Sequence, residues 1–384
     1  MRMLFVTGSL VHGGAERHTI TLVNRLAERG HECHAAYVKN DPSQLARLGG
    51  AASVQCLEAR KYLDFTALGK LSALIRAVRP AVILAANQYA LLYATLARRR
   101  AGVEAPLMVT FHTTVPASSR EWLQMLYYRP FFWSADCLAF VCDAQRRYWN
   151  ARRLSSRRDE VIYNGVDLEH WQPRPAAERA MIRRVLALQE GDFVVGMCAV
   201  LRPEKNHLQL LEAIARLRAR GIPARALLIG DGPQRRRIEA RARALGLAAE
   251  VLVTGYQQDV RPLIGACDAM ALCSTAVETF SLAALEAMAL ARPVVHAELG
   301  GAADMIRPGA DGQLFAVGDT AALVERLAGL AAREARARIG AAARATVEAR
   351  FSERAMVERY ENTLLELDSK RSRRENLRKR AAAY

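Results

Sequence analysis

Short apolar runs alternate with stretches of helical periodicity along nearly the whole chain, and that alternation limits the fold more tightly than any other feature of the sequence. Residues 2–8 read as a buried strand. They lead through a loop at 9–16 into an amphipathic helix with Ile20, Val23, Leu26 and Ala27 on one face, which Gly30 ends. Residues 31–38 read as the next strand, and strand, loop, helix and strand in that order form a βαβ unit. The pattern recurs as a helix over 65–78, a strand at 81–85, a helix over 89–99, a strand at 107–111, a helix through 122–133 and a strand at 137–142. At 161–175, Asn164-Gly165 and two prolines mark a turn and an interdomain connection. A helix over 177–187 then opens a second series, with strands expected at 193–200, 226–229, 251–253, 269–273 and 294–296. Such alternation predicts parallel sheets wrapped on both faces, so the chain is expected to be α/β with two similar sheets. Its 384 residues are too many for one ordinary core and agree with two domains. From residue 321 the chain reads as helical, with a last helix from about 352 to 367.

The chemistry concentrates where strands are expected to end. Glu278 follows the apolar run 269–273, and Leu282, Leu285 and Met288 then recur at helical spacing. The amides of Thr279, Phe280 and Ser281 are therefore expected at a helix N-terminus, where unpaired N–H groups and the positive dipole end favour an anion, most often phosphate. Carboxylates repel phosphate, so Glu278 and Glu286 suit sugar hydroxyls, which a carboxylate accepts in pairs. A nucleotide sugar satisfies the amides and both acids at once; the plain alternative is that Glu286 caps or solvates a surface helix. Arg202 and Lys205, after the first strand of the second series, supply positive charge for a diphosphate, or else they are solvated loop residues. Gly230 opens the loop after the next strand. In the first series, Gly13-Gly14 allow a ligand close to the backbone, or serve the turn alone, and the loop is neither GxGxxG nor GxxxxGK[ST]. His112 ends a strand at the edge where open α/β sheets bind ligands, although a lone loop histidine is more often structural.

Composition narrows the partners. The formal charge of +16 points to a polyanion, whether nucleic acid, anionic lipid or phosphorylated substrate, or to an Arg-rich solvated surface. No nucleic-acid motif accompanies it, and no specific nucleic-acid partner is expected. Seven scattered cysteines without CxxC favour a reducing compartment and no structural metal, and no apolar run approaches the roughly 20 residues that span a bilayer. The start runs directly into a strand pattern and does not read as a signal peptide. Trp122, Tyr127, Tyr128, Phe131, Phe132 and Trp133 crowd one helix beside Arg120 and Arg129, and Arg146, Arg147, Tyr148, Trp149, Arg152 and Arg153 follow. Aromatic and basic side chains together suit a membrane interface, while core packing explains many of the same aromatics. The polybasic end, 370–380, fits anionic lipid or a frayed solvated tail.

Taken together and in order, these motifs resemble the retaining GT-B glycosyltransferases of family 4 (glycosyl transferases group 1). The resemblance covers nearly the whole chain: Gly13-Gly14-Ala15-Glu16, His112, Tyr163-Asn164-Gly165-Val166-Asp167, Arg202-Pro203-Glu204-Lys205, Gly230-Asp231-Gly232-Pro233, the pair Glu278 and Glu286, Ala287-Met288-Ala289, and Pro293-Val294-Val295. It implies two Rossmann-like domains with parallel sheets facing across a central cleft: an acceptor-binding domain at 1–165 and a nucleotide-sugar-binding domain at 166–351. A C-terminal helix at 352–368 is expected to pack back on the first domain, with a polybasic tail at 369–384. By the same resemblance Arg202 and Lys205 bind the donor diphosphate, Glu286 the ribose hydroxyls and Glu278 the transferring sugar. Amides at Phe280, Ser281 and Leu282 assist, Gly14 lets its loop meet the phosphates, and His112 contacts the sugar near the reacting carbon. Thr279 and Ser281 stand where many members carry glycine, and Thr113 follows the histidine where Asp is common.

The reaction so implied is retaining transfer from a nucleotide sugar, a UDP-sugar favoured, to a hydroxyl of a glycan or lipid-linked acceptor in envelope polysaccharide or glycolipid synthesis. No cofactor is expected, and no metal, since the chain has no Asp-x-Asp to hold a divalent ion against diphosphate. The expected place of work is the cytoplasm, with peripheral association at the inner face of the cytoplasmic membrane as an extension of that reading. Two other functions compete: a catalytically silent nucleotide-sugar binder or assembly partner, and a polyanion-binding protein that uses the excess charge.

Overall fold

In a computed structural model the chain forms two compact units, residues 1–163 with 355–384 and residues 164–354. The structure describes residues 1–11, 13–113 and 119–381, with 374–376 and 378–381 described by their backbone alone. His12, in the expected glycine loop, lies outside the described residues, as do the side chains of Arg374, Arg378, Lys379 and Arg380 in the polybasic end.

The first unit runs β1 (Arg2–Thr7), α1 (Gly14–Glu28), β2 (Glu32–Tyr37), β3 (Ser53–Cys56), α2 (Phe65–Val78), β4 (Val82–Ala86), α3 (Asn87–Ala101), β5 (Leu107–Phe111), α4 (Ser119–Ser134), β6 (Cys137–Phe140), α5 (Asp143–Asn150) and β7 (Asp159–Val161). Its seven strands are parallel in the order β3-β2-β1-β4-β5-β6-β7. Successive side chains of a strand face opposite ways, so β1 feeds two cores. Leu4 and Val6 join Leu71 and Ile75 of α2 and Leu91 and Tyr93 of α3; Met3 and Phe5 join Ile20, Val23 and Leu26 of α1. Both faces being covered, β4 is buried throughout and reads as a continuous apolar run. The expected α2 begins where predicted because Asp64 accepts the N–H groups of Thr66 and Ala67 at 2.9 and 3.1 Å.

The second unit runs α6 (Ala176–Val185), β8 (Phe193–Cys198), α7 (His207–Ala219), β9 (Ala224–Ile229), α8 (Arg235–Ala244), β10 (Val251–Val253), α9 (Arg261–Ala266), β11 (Ala269–Leu272), α10 (Leu282–Ala289), β12 (Val294–Ala297), α11 (Ala302–Met305), β13 (Gln313–Phe315), α12 (Thr320–Ala328) and α13 (Arg333–Arg350). Its six parallel strands take the order β10-β9-β8-β11-β12-β13. The order reverses between β8 and β11, and a doubly wound sheet binds ligands at such a switch point, outside the carboxyl ends of the strands.

The last helix, α14 (Glu353–Ala381), is continuous through the polybasic stretch, which therefore extends a helix rather than forming a separate tail after residue 368. Its Met356, Val357, Tyr360, Leu364 and Leu367 complete the first unit's core beneath Met3 and Phe5. Three short strands, β3, β7 and β13, were not expected from sequence.

Candidate active site

The loops that leave β8 and β11 flank the switch point of the second sheet, and hydrogen bonds lock them together. Thr275 donates its backbone N–H to the Glu204 carbonyl at 2.8 Å. Lys205 closes a short 3₁₀ turn, Pro203–Lys205, and its Nζ donates to Glu278 Oε2 at 2.7 Å, while Ser274 Oγ donates to the same oxygen at 3.0 Å. Burial pushes the Glu278 carboxyl upward. Lys205, His296 and the hydrogen bonds from Lys205 and Ser274 together outweigh it, so the group lies below the usual carboxylate range. Glu278 is thus an ionised carboxylate, held from one side by an ammonium and a hydroxyl. Arg202 is exposed three residues before Lys205.

Glycines allow the neighbouring loops to meet this pair. Gly230 follows β9 with φ +140°, and a Cβ there would strike the carbonyl oxygen of Ala199. Gly300, at φ +59°, lies against the Glu278 and Thr279 carbonyls, where a Cβ would again collide with backbone. Gly301 donates to the Thr279 carbonyl at 2.7 Å. The segment after β12 therefore supports Glu278 from behind.

The helix after Glu278 begins later than the sequence implies. Val277 takes φ +56° and Ser281 is an extended N-cap whose Oγ accepts from Ala284 N–H at 3.4 Å, so α10 starts at Leu282. Of the amides at Phe280, Ser281 and Leu282, only that of Leu282 belongs to the first helical turn; those of Thr279, Phe280 and Ser281 lie in the approach to it. Phe280 is buried against Phe351, with ring centroids 5.4 Å apart, and its carbonyl accepts from Asn164 Nδ2 at 3.3 Å. Glu286 sits on the first full turns of α10 and is only 4% exposed, so it is no solvated surface residue. Leu285, Ala287 and Met288 beside it in the helix are buried too, and a carboxyl group in such a place must be met by hydrogen-bond donors.

His296, at the end of β12, joins this set although sequence analysis gave it no role beyond a strand terminus. It is 1% exposed and electrostatically coupled to both Glu278 and Lys205. Burial lowers its pKa more than Glu278 raises it, leaving a neutral ring. Its signal was a polar residue closing the apolar run Val294-Val295 at a carboxyl edge.

Gly13, Gly14 and His112 belong to the first unit. Gly13 is the extended N-cap of α1 and Gly14 its first residue. His112 follows β5, and its N–H donates to Asn87 Oδ1 at 2.9 Å. The backbone on either side is pinned: buried Gln145 donates to the carbonyls of Phe111 and Thr113, both at 2.9 Å, and Trp149 Nε1 donates to Thr113 at 2.9 Å. Burial pushes the His112 imidazole down to about 4, so it is uncharged near neutrality. His18 meets it edge-on at 4.8 Å. Among the described residues no group of three or more His, Cys, Asp or Glu is placed to hold a metal ion.

Known proteins carry the same pattern. The family model for Glycosyltransferase Family 4 matches residues 12–170, and that for Glycosyl transferases group 1 matches residues 178–346. EpsD of Bacillus subtilis (strain 168) is 29% identical over 221 residues, 56% of this chain and 57% of EpsD, so the chain spans little more than half of that relative. LpsE of Rhizobium meliloti (strain 1021), a lipopolysaccharide core biosynthesis glycosyltransferase, is 27% identical over 354 residues, 91% of this chain and 94% of LpsE. The solved structure of HepE from Anabaena in complex with UDP-glucose matches in fold, with a TM-score of 0.84 at 24% identity over 95% of this chain and 100% of that one. Two parallel Rossmann-like sheets, matched half by half and in order, place the chain in the group 1, family 4 glycosyltransferases with the GT-B fold.

Proposed function

We propose that the chain is a retaining, metal-independent glycosyltransferase that moves a sugar from a nucleotide sugar, a UDP-sugar favoured, to a hydroxyl of a glycan or lipid-linked acceptor in envelope polysaccharide or glycolipid synthesis. The observation that carries the reading is the Glu278 carboxylate, its side chain 11% exposed and held by Lys205 and Ser274 at the switch point of the second sheet, with Glu286 buried on the helix that follows. Glu286 takes the ribose hydroxyls and Glu278 those of the transferring sugar. Lys205 Nζ has three N–H bonds and gives one to Glu278, so others remain for the diphosphate beside exposed Arg202. As the bond from the anomeric carbon to the diphosphate breaks, these cations and the amides at Phe280, Ser281 and Leu282 meet the charge that develops on the leaving group. The acceptor oxygen bonds to the same face of that carbon, and the departing phosphate takes the acceptor's proton. Fixed cations and the absence of Asp-x-Asp from the sequence support the metal-free form. HepE structures with UDP and with UDP-glucose, and the lipopolysaccharide role of LpsE, support donor and acceptor class. His112 and the Gly13-Gly14 loop are assigned to the reaction by family resemblance, and we place the enzyme in the cytoplasm at the inner face of the membrane.

A panel of UDP-, GDP- and ADP-sugars screened by thermal shift tests the donor, because a ligand of the folded state raises its apparent stability. Glu286→Ala should weaken nucleotide binding by roughly ten- to a hundredfold, the loss of charge-assisted hydrogen bonds. Glu278→Gln should keep the nucleotide shift and lose release of nucleoside diphosphate in the presence of envelope lipid and glycan extracts. A chain that binds donor and never turns it over is a silent binder, and one stabilised by no nucleotide sugar refutes the reading.

A further inference from the structure

His296 is placed to do more than tune Glu278. On β12, Val295 and Ala297 join the core cluster on one face of the second sheet, so the period of two turns His296 to the other face. That face is the one α10 covers, since α10 packs on β11 and β12 and its buried Ala284, Leu285 and Met288 stand outside that cluster. In register His296 pairs with Leu272, the last residue of β11, directly before the loop that carries Ser274 and Glu278. The segment after it, through Gly300 and Gly301, rests on the Glu278 and Thr279 carbonyls.

The ring has a defined tautomer. Its one hydrogen bond among the described residues joins Nδ1 to the Ala297 carbonyl at 2.6 Å, and a carbonyl only accepts, so Nδ1 carries the proton. In the neutral ring Nε2 is then an acceptor. A strand end this buried takes an apolar side chain at no desolvation cost, whereas an imidazole there needs a hydrogen-bond partner for its second nitrogen. This Nε2 takes a donor, and on the sugar half of a nucleotide sugar the donors are chiefly hydroxyls.

We propose that His296 is a specificity-determining residue of the donor site, its Nε2 taking a hydrogen bond from one ring hydroxyl of the transferred sugar beside Glu278. The proposal rests on the nucleotide-sugar reading above and refines it: Glu286, Arg202 and Lys205 hold the nucleotide, while His296 reads the sugar.

Calorimetric titration of the full chain with UDP, UDP-glucose and its 2-, 3-, 4- and 6-deoxy analogues tests it, in the wild type, His296→Leu and His296→Gln. UDP affinity is expected to be the same in all three. UDP-glucose should bind His296→Leu about three- to tenfold more weakly, the worth of one neutral hydrogen bond. One deoxy analogue should bind the wild type that much more weakly than UDP-glucose does, and suffer no further loss in His296→Leu. If every analogue loses equally in wild type and variant, or UDP-glucose affinity is unchanged by the substitution, the proposal is overturned while the nucleotide-sugar reading stands. A wild type that binds neither UDP nor UDP-glucose overturns the UDP-sugar reading and the proposal with it. Circular dichroism establishes folding. Should His296→Leu not fold, His296→Gln decides, since a side chain that also donates must change the ranking of the deoxy series, and an unchanged ranking overturns the assignment.

Discussion

His207 shows how a single residue beneath the site couples it to pH. It opens α7 directly after the Lys205 turn and is 2% exposed. Burial, with a smaller contribution from Lys205, pushes its imidazole down to about 4. Between about 4 and the ordinary value near 6.5, the unfolded chain takes up a proton that the folded chain refuses, so stability rises with pH across that window and falls as pH drops through it. At pH 5 the loss relative to pH 7 reaches about 2 kcal/mol from this group alone. His207→Leu removes that contribution, so its urea midpoint, followed by far-UV circular dichroism, should drop less than the wild type's between pH 7 and pH 5. Equal drops would show that His207 is protonated alike in both states. At this scale the sequence marked some residues and hid others. Glu278 and Glu286 stood out because two carboxylates flanked a strand-to-helix junction, and both prove largely buried. His296 was hidden because a histidine closing an apolar strand looks like any other strand terminus, and only the pairing with Leu272 brings it beside the segment that carries Ser274 and Glu278.

Among elements, the strongly periodic ones were legible and the ones defined by their neighbours were not. Helix α2 matches its expected span because its cap and its apolar face, Leu68, Leu71 and Ile75, are both local signals. Strands β3, β7 and β13 are three or four residues long at or next to sheet edges, with sequences such as Asp159-Glu160-Val161 that carry no apolar run. They exist because an adjacent strand offers a ladder, which no local pattern encodes. The start of α10 was set too early because Leu282, Leu285 and Met288 give the helix its face but not its first residue, which Ser281 fixes as a cap. Helix α14 is a third case: its periodicity was visible, while its role as part of the first unit's core was implied only by resemblance. Leu364 is fully buried there with Tyr360 and Phe5. Leu364→Ala should therefore cost about 2–5 kcal/mol, as deletion of a core leucine does. Trp122, Trp133 and Trp149 all lie in the first unit and Trp171 in the second. Tryptophan fluorescence should accordingly show the first unit melting roughly 5–15 °C lower in the variant. An unchanged transition would mean that α14 is not part of that cooperative unit.

For the molecule as a whole, the question is where an excess of 16 positive charges acts, given that no helix among the described residues is long and apolar enough to cross a membrane. Helix α4 offers a candidate surface. The sequence left its aromatics divided between core and interface, and the structure divides the helix itself: Met125, Tyr128 and Phe132 are buried, whereas Leu123, Leu126, Tyr127 and Trp133 are 69%, 46%, 51% and 51% exposed. An apolar stripe turned outward beside Arg120 and Arg129 combines the two attractions of an interfacial helix, insertion and charge. We expect the protein to sediment with phosphatidylglycerol vesicles at low salt and progressively less as salt screens the arginines. Leu123→Ser combined with Leu126→Ser removes no charge and nothing from the core. If the stripe inserts, that variant loses about 1 kcal/mol or more per leucine and binds at least roughly tenfold more weakly at every salt concentration, with its melting temperature unchanged. Charge attraction alone would leave the variant bound like the wild type. The contact would then pass to the basic residues of 370–380, whose replacement should release the protein from vesicles while leaving α4 intact.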